Sequence, residues 1–278
     1  MPTVSVKSGP LSSSVDIHYE TTGTGRPVVL IHGWPLSGAA WKDNVPALEQ
    51  AGYQVVTYDR RGFGESEKPS SGYDYNQLAD DLAELLDELD LRDVTLVGFS
   101  MGGGEVARYI ARHGQDRLRS VVLAAAVPPY MMQTDDNPDG PLEQAAAEQM
   151  AKTLESDREG FFDQFTTQFF SAGDELKVSE QQRQDAIALC RQSDQTAVLA
   201  CMESFGGTDF RDDLTKVSVP TLVIHGDSDG IVPFEGSGKR THAAITGSEL
   251  VVVQGAPHGL NVSHRDEFDR ALLAFLAR

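Results

Sequence analysis

The chain predicts an α/β domain, with a mostly parallel sheet, helices on both faces and a helical insertion. Three observations carry that reading. From residue 28 to residue 127, apolar runs of strand length alternate with segments of helical periodicity in the order β-α-β-α-β-α-β, and parallel strands need such crossovers. The central run, Val94-Thr95-Leu96-Val97, breaks at Gly98 into Phe99-Ser100-Met101-Gly102-Gly103-Gly104, then into a segment whose Val106, Tyr109 and Ile110 recur at helical spacing. After Pro128-Pro129 the alternation stops, and the next strand is expected only at 220–225.

In order, residues 4–6 and 15–19 read as an opening hairpin joined through Gly9-Pro10 and a serine cluster. The run 27–31 is apolar throughout, as a strand covered on both faces should be. His32-Gly33-Trp34-Pro35 follows it. A first helix is expected at 41–51, a buried strand at 53–58, and a loop at Asp59-Arg60-Arg61-Gly62-Phe63-Gly64-Glu65-Ser66. Tyr75, Leu78, Leu82, Leu85, Leu86 and Leu89 mark an amphipathic helix. The helix after Ser100 should stop at His113-Gly114, with a further strand at 121–127. Residues 128–215 are read as a helical cap inserted in a core formed by 1–127 and 216–278, over the sheet edge where ligands bind in open α/β folds. The last strand is 250–253. A terminal helix with a capping-box-like start at Ser263 and Asp266 buries Phe268, Leu272, Phe275 and Leu276.

Composition narrows the function classes. The 23 basic and 42 acidic residues give a net charge of −19, so the basic footprint that nucleic acid or an anionic membrane requires is lacking. Neither a secretory leader nor a bilayer-length apolar run is evident, and a cytoplasmic protein is expected. Cys190 and Cys201, if on one helix, stand roughly 16 Å apart, beyond disulfide reach. They are read as reduced packing residues. No H-E-x-x-H or paired-cysteine spacing calls for a metal, Gly62-x-Gly64 lacks the third glycine of a dinucleotide loop, and Gly238-Lys239 is followed by arginine where a phosphate loop wants Ser or Thr.

Gly98-Phe99-Ser100-Met101-Gly102 fits the G-x-S-x-G pattern of a nucleophile elbow, a strained turn that presents a serine above a sheet. Gly226-Asp227-Ser228-Asp229-Gly230 matches the same pattern, but no helix follows it and two carboxylates flank its serine; Ser228 is read as a turn residue. A serine hydroxyl needs a base, and the base an orienting acid. In chain order these should follow Ser100 from loops at strand ends, which selects Asp229 and His258. Asp227 is the rival acid, read as serving the turn; His264 is the rival base, at the start of the terminal helix. An oxyanion hole needs two N–H donors, for which Met101 and Trp34 are the candidates, since Pro35 has no N–H to give. His32 is read as a loop brace. Phe161, Phe162, Phe165, Phe169 and Phe170 have helical spacing and suit packing of the cap on the core, or a pocket wall.

These residues resemble the α/β-hydrolase fold, and within it the cofactor-free haloperoxidases, a metal-free and haem-free group that also shows esterase and perhydrolase activity. The likeness rests on His32 to Gly38, Tyr58 to Gly64, Gly98 to Gly102 with Glu105 to Tyr109, Thr134 to Gly140, and Gly255 to Leu260. It implies an eight-stranded, mostly parallel sheet and no cofactor. It implies an acyl-enzyme at Ser100 made from an ester or short carboxylic acid, with hydrogen peroxide replacing water to release a peracid that oxidises bromide or chloride off the enzyme. Trp34, Pro35, Phe162 and Ile231 are the expected pocket residues, and a homo-oligomer, a trimer, is implied. A lactonase or carbon-carbon bond hydrolase using the same triad, and a small-ligand receptor with little turnover, stay open.

Overall fold

Strands apolar at every position are satisfied only where helices cover both faces of a sheet. A computed structural model, describing residues 2–8 and 13–278, shows how this chain arranges that. In chain order the strands are β1 (Thr3–Ser8), β2 (Ser13–Thr22), β3 (Pro27–Ile31), β4 (Gln54–Tyr58), β5 (Val94–Phe99), β6 (Leu118–Ala124), β7 (Ser171–Ala172), β8 (Glu175–Leu176), β9 (Thr221–Gly226) and β10 (Glu249–Val253). Eight of them form one sheet of order β1-β2-β4-β3-β5-β6-β9-β10, parallel from β4 to β10 and antiparallel at the β1 and β2 edge. The fully buried β3 and β5 pair at its centre. The Gly9-Pro10 turn of the hairpin lies outside the described residues.

The helices are α1 (Val45–Gln50), α2 (Tyr75–Glu88), α3 (Met101–His113), α4 (Gln144–Ser156), α5 (Arg158–Phe169), α6 (Glu180–Arg191), α7 (Gln195–Gly207), α8 (Arg211–Leu214), α9 (Gly238–Ala244), α10 (Leu260–Ser263) and α11 (Arg265–Leu276). The chain runs outward from β3 through α1 to β4, then back past β3 through α2 to β5 and on through α3 to β6. Right-handed crossovers in opposite directions put α1 on one face and α2 and α3 on the other. Helix α11 packs against α1, and α2 against α3. The reversal leaves a crevice at the carboxyl ends of β3 and β5, the place where such sheets bind ligands.

Several expectations shift. The helix expected at 41–51 splits into a 3-10 turn, Gly38–Trp41, and α1, which starts late with Pro46 in its first turn, where a missing N–H costs nothing. The strand expected at 121–127 runs Leu118–Ala124 instead, because Ala125 (φ 43°) turns the chain out of the sheet where pairing with β9 ends. The stretch 128–219 is not free of strand, since β7 and β8 form a small hairpin there. Cys190 and Cys201 occupy different helices, as Asp194 starts α7 by accepting from the N–H groups of Thr196 and Ala197. Burial pushes both thiols up to about 12, leaving them inert. Ser263 does not cap the last helix: it ends α10, its hydroxyl donating to the Gly259 carbonyl.

Candidate active site

Ser100 stands between β5 and α3 with φ 55° and ψ −119°, a conformation L-residues avoid and one that costs on the order of 1–3 kcal/mol. The surroundings hold it there. Its N–H donates to the Ala124 carbonyl at 2.9 Å, and its carbonyl accepts from Val127 at 3.2 Å and Gly103 at 3.0 Å. The two motif glycines are needed for close approach: a Cβ at Gly98 would lie 2.5 Å from the Gly102 oxygen, and one at Gly102 2.7 Å from the Ile31 oxygen.

The loops after β9 and β10 bring Asp229 and His258 to this serine. His258 Nε2 lies 2.9 Å from Ser100 Oγ, and its Nδ1 lies 2.7 Å from Asp229 Oδ2. A carboxylate can only accept, so Nδ1 carries the proton and Nε2 is free to take the serine's. All three are buried, and the imidazole is flanked by the rings of Phe99 and Phe169, at 5.1 and 5.0 Å between centroids. Asp229 Oδ1 accepts from the N–H groups of Ile231 and Val232 at 2.9 and 2.8 Å. Burial alone would raise its pKa. The charge of His258 and hydrogen bonds from His225 and His258 outweigh that and hold the carboxyl well below the usual carboxylate range.

The rivals are occupied elsewhere. Asp227 accepts from the Gly255 N–H at 2.7 Å and from Ser228 Oγ at 3.1 Å, so both serve the turn. His264 Nδ1 faces Ser263 Oγ at 3.0 Å.

Met101 opens α3, so its N–H has no intrahelical partner. The loop after β3 comes close on the other side, where a Cβ at Gly33 would sit 3.1 Å from Ser100 Cβ. The backbone N–H of the next residue, Trp34, has no partner among the described residues. His32 braces this loop: its Nε2 accepts from the Arg60 N–H at 3.0 Å and its Nδ1 donates to the Gly33 carbonyl at 2.9 Å. Burial, then the Arg60 charge, holds the ring well below the usual histidine pKa, in this neutral form.

A cavity of about 390 Å³ opens over Ser100, lined by Trp34 and by residues of α4, α5 and α7. Ile231 lines it, and no charged side chain does. Phe162 does not line it. One residue off along α5, it turns away with Thr166 and Phe169 and packs under the Arg158 guanidinium, 4.7 Å from the ring centroid, while Phe161 and Phe165 face the cavity. Pro35 is buried in the loop and is not among the lining residues; Trp34 occupies that wall, its indole N–H donating to the Val198 carbonyl of α7 at 2.9 Å.

Sequence reasoning missed two contributors. His225, next to last in β9, has Nε2 at 2.8 Å from the Val232 carbonyl and 3.2 Å from Asp229 Oδ2, bracing the acid from behind. A histidine closing an apolar strand, four positions before an acid, was the available signal. Glu105, buried on α3, accepts from Arg60 Nε at 2.6 Å and from the Tyr58 hydroxyl at 2.8 Å, while Arg60 Nη2 donates to the His32 carbonyl at 2.7 Å. That network ties the loop after β3 to α3. No group of three or more His, Cys, Asp or Glu side chains among the described residues is arranged to hold a metal, and no described helix is long and apolar enough to cross a membrane.

Comparison with known proteins places the fold among families already described. The alpha/beta hydrolase fold model matches residues 26–264. The chain is 43% identical to a non-heme chloroperoxidase of Kitasatospora aureofaciens over 99% of both chains, and 35% identical to a bifunctional esterase/perhydrolase of Acinetobacter calcoaceticus over 94% of this chain and 96% of that one. Among solved structures, a bromoperoxidase from Bacillus anthracis superposes with a TM-score of 0.96 at 51% identity, covering all of both chains. With its serine elbow at the crevice of a mostly parallel eight-stranded sheet, the chain belongs to the alpha/beta hydrolase fold family.

Proposed function

We propose that the protein is an esterase and perhydrolase of the non-heme haloperoxidase type, working through an acyl-enzyme on Ser100. The observation that carries this is the continuous row Ser100–His258–Asp229 opening into an uncharged cavity. In this mechanism His258 Nε2 takes the Ser100 proton as Oγ attacks the ester carbonyl. The Met101 and Trp34 N–H groups stabilise the oxyanion, and Asp229 steadies the imidazolium. The imidazolium returns the proton to the departing alcohol. Water or hydrogen peroxide, deprotonated by the same imidazole, then attacks the acyl carbon and releases acid or peracid, restoring the serine hydroxyl. A peracid leaving the site transfers oxygen to bromide or chloride in solution, so the halide needs no site on the protein.

The neutral lining favours uncharged esters, and carboxylic acids in their protonated form, over carboxylate anions. Helices of residues 128–215 act as a cap that shapes the cavity, with Pro35 shaping the oxyanion loop from behind it. A homo-oligomer, a trimer, is part of the same reading and is checked by sedimentation.

The experiment is release of nitrophenol from nitrophenyl acetate, followed by bromination of a diketone with peroxide and bromide, with and without acetate. Turnover should fall by about 10⁴-fold or more in Ser100→Ala, and bromination should require acetate or an ester. Turnover surviving the substitution excludes the acyl-enzyme; bromination without any acyl donor excludes the peracid route.

A further inference from the structure

The Met101 and Trp34 N–H groups assigned above to the oxyanion belong to different elements, and two donors serve one oxygen only if their spacing is fixed. Behind Met101, α3 runs through Gly102, Gly103 and Gly104, poor helix formers with no side chain to grip what surrounds them. The first side chain past them is that of Glu105. Trp34 lies in the loop between β3 and the 3-10 turn. Tyr75, whose hydroxyl donates to the Met101 carbonyl at 3.0 Å, steadies the helix side of the pair.

One buried network joins the two sides. Glu105, 1% exposed, accepts from the Arg60 guanidinium through Nε, at 2.6 Å, and through Nη2, and from the Tyr58 hydroxyl at 2.8 Å. The same Nη2 donates to the His32 carbonyl at 2.7 Å, and the Arg60 backbone N–H to His32 Nε2 at 3.0 Å. Thus set, the imidazole donates from Nδ1 to the Gly33 carbonyl at 2.9 Å, which also accepts from the Leu36 N–H at 3.0 Å. That carbonyl and the Trp34 N–H are opposite ends of one planar peptide, so holding one aims the other. Apolar residues of like volume often fill the space of a buried ion pair as stably, so stability alone does not account for Arg60 and Glu105.

We propose that, within the acyl-enzyme reading above, on which this rests, Arg60 held by Glu105 is a positioning residue for the ester reaction: it fixes the Trp34 N–H relative to the Met101 N–H so that both meet one oxyanion. Donors out of register bind the uncharged ester as before and fail only once charge develops on its oxygen, so the loss falls on kcat and spares KM.

Replacing the cluster by apolar residues, Arg60→Met with Glu105→Leu and Tyr58→Phe, removes the link without leaving a buried charge unpaired. With folding checked by circular dichroism, kcat on nitrophenyl acetate should fall about 10²-fold with KM within about threefold of wild type. A trifluoromethyl ketone, whose adduct with Ser100 carries the oxyanion, should inhibit more weakly by the same factor. Arg60→Lys keeps the charge but not the fork that spans Glu105 and the His32 carbonyl; it should show the same split, by about tenfold or more, and carries the test if the triple variant does not fold. The positioning role is overturned if the folded variant turns over like wild type, if KM rises in place of the fall in kcat, or if kcat falls with inhibition unchanged. Ser100→Ala separates the two readings. Turnover that survives it overturns the acyl-enzyme itself, whereas an inactive Ser100→Ala beside a fully active Arg60→Lys overturns the role of Arg60 alone.

Discussion

Asp229 sits between two imidazoles, with one oxygen on backbone N–H groups and the other facing His258 Nδ1 and His225 Nε2. Asp229→Asn keeps the shape but turns an amide toward His258, favouring the tautomer that presents a hydrogen to Ser100. A loss of about 10⁴ in kcat with little change in fold is expected, read by steady-state kinetics beside circular dichroism. The carboxylate also carries a pH signature. Its pKa is depressed on folding, so its contribution to stability is complete above the unfolded value and disappears as pH falls through the folded one. The stability gap between wild type and Asp229→Asn should therefore narrow as pH falls from about 5 to about 2, and a constant gap in denaturant midpoints contradicts the ion-pairing described. The convergence of Ser100, Asp229 and His258 was legible because each follows an apolar run, and parallel strands deliver the ends of such runs to one edge of the sheet. The side chains around them were less legible. Phe162 and Phe165 differ by a rotation of α5 that only packing fixes, and Glu105 meets Arg60 across 45 positions of sequence.

At the level of elements, the approach of α3 to β3 depends on residue 102 having no side chain. A Cβ there would lie 2.7 Å from the Ile31 oxygen and 2.9 Å from its Cγ2, with backbone on one side and a core side chain on the other. Gly102→Ala should cost about 1–3 kcal/mol in denaturant unfolding and lower kcat as well, since Ser100 and Met101 move with the helix start. Unchanged stability would mean that the helix has room to retreat. Helix α11 offers a test of opposite sign. Asn44 Nδ2 donates to Asp269 Oδ1 at 2.7 Å and to the Asn261 carbonyl at 3.0 Å, joining α11 and α10 to the segment before α1. Burial pushes the Asp269 carboxyl up to about 6, against the pull of Asn44 and Arg265. A raised pKa means that the protonated form supports the fold, fully below the unfolded value and no longer once pH passes the folded one. Asp269→Asn should match wild type near pH 4 and exceed it in stability near about pH 8, the difference emerging through about 6. Such joints escape a sequence reading for a physical reason. The periodic apolar residues of α11 announce its buried face, but nothing in them says which polar neighbour a half-buried acid will meet; the same holds for the 3-10 turn that replaces the first part of the expected 41–51 helix.

For the whole molecule the governing quantity is charge. If all 23 basic side chains were paired one to one with the 42 acidic ones, 42 − 23 = 19 carboxylates would remain without a cation. Many of the pairs that do form, such as Lys42–Asp185, Arg92–Asp90 and Lys239–Glu235, lie at the surface, where each is worth about 0–1 kcal/mol. Repulsion among the surplus carboxylates acts over longer distances than these contacts and is spread over the whole surface, so dilute salt screens it more than it weakens short pairs. Raising sodium chloride from about 0.01 M to about 0.1 M shortens the screening length from about 30 Å to about 10 Å. The midpoint of thermal unfolding should rise over that interval. In a chain of this size each kcal/mol of relieved repulsion corresponds to roughly 2–4 °C, so a shift of several degrees is within reach of calorimetry. A falling midpoint would show that the surface pairs outweigh the surplus, and that the acidic excess is already spaced widely enough to exert little strain.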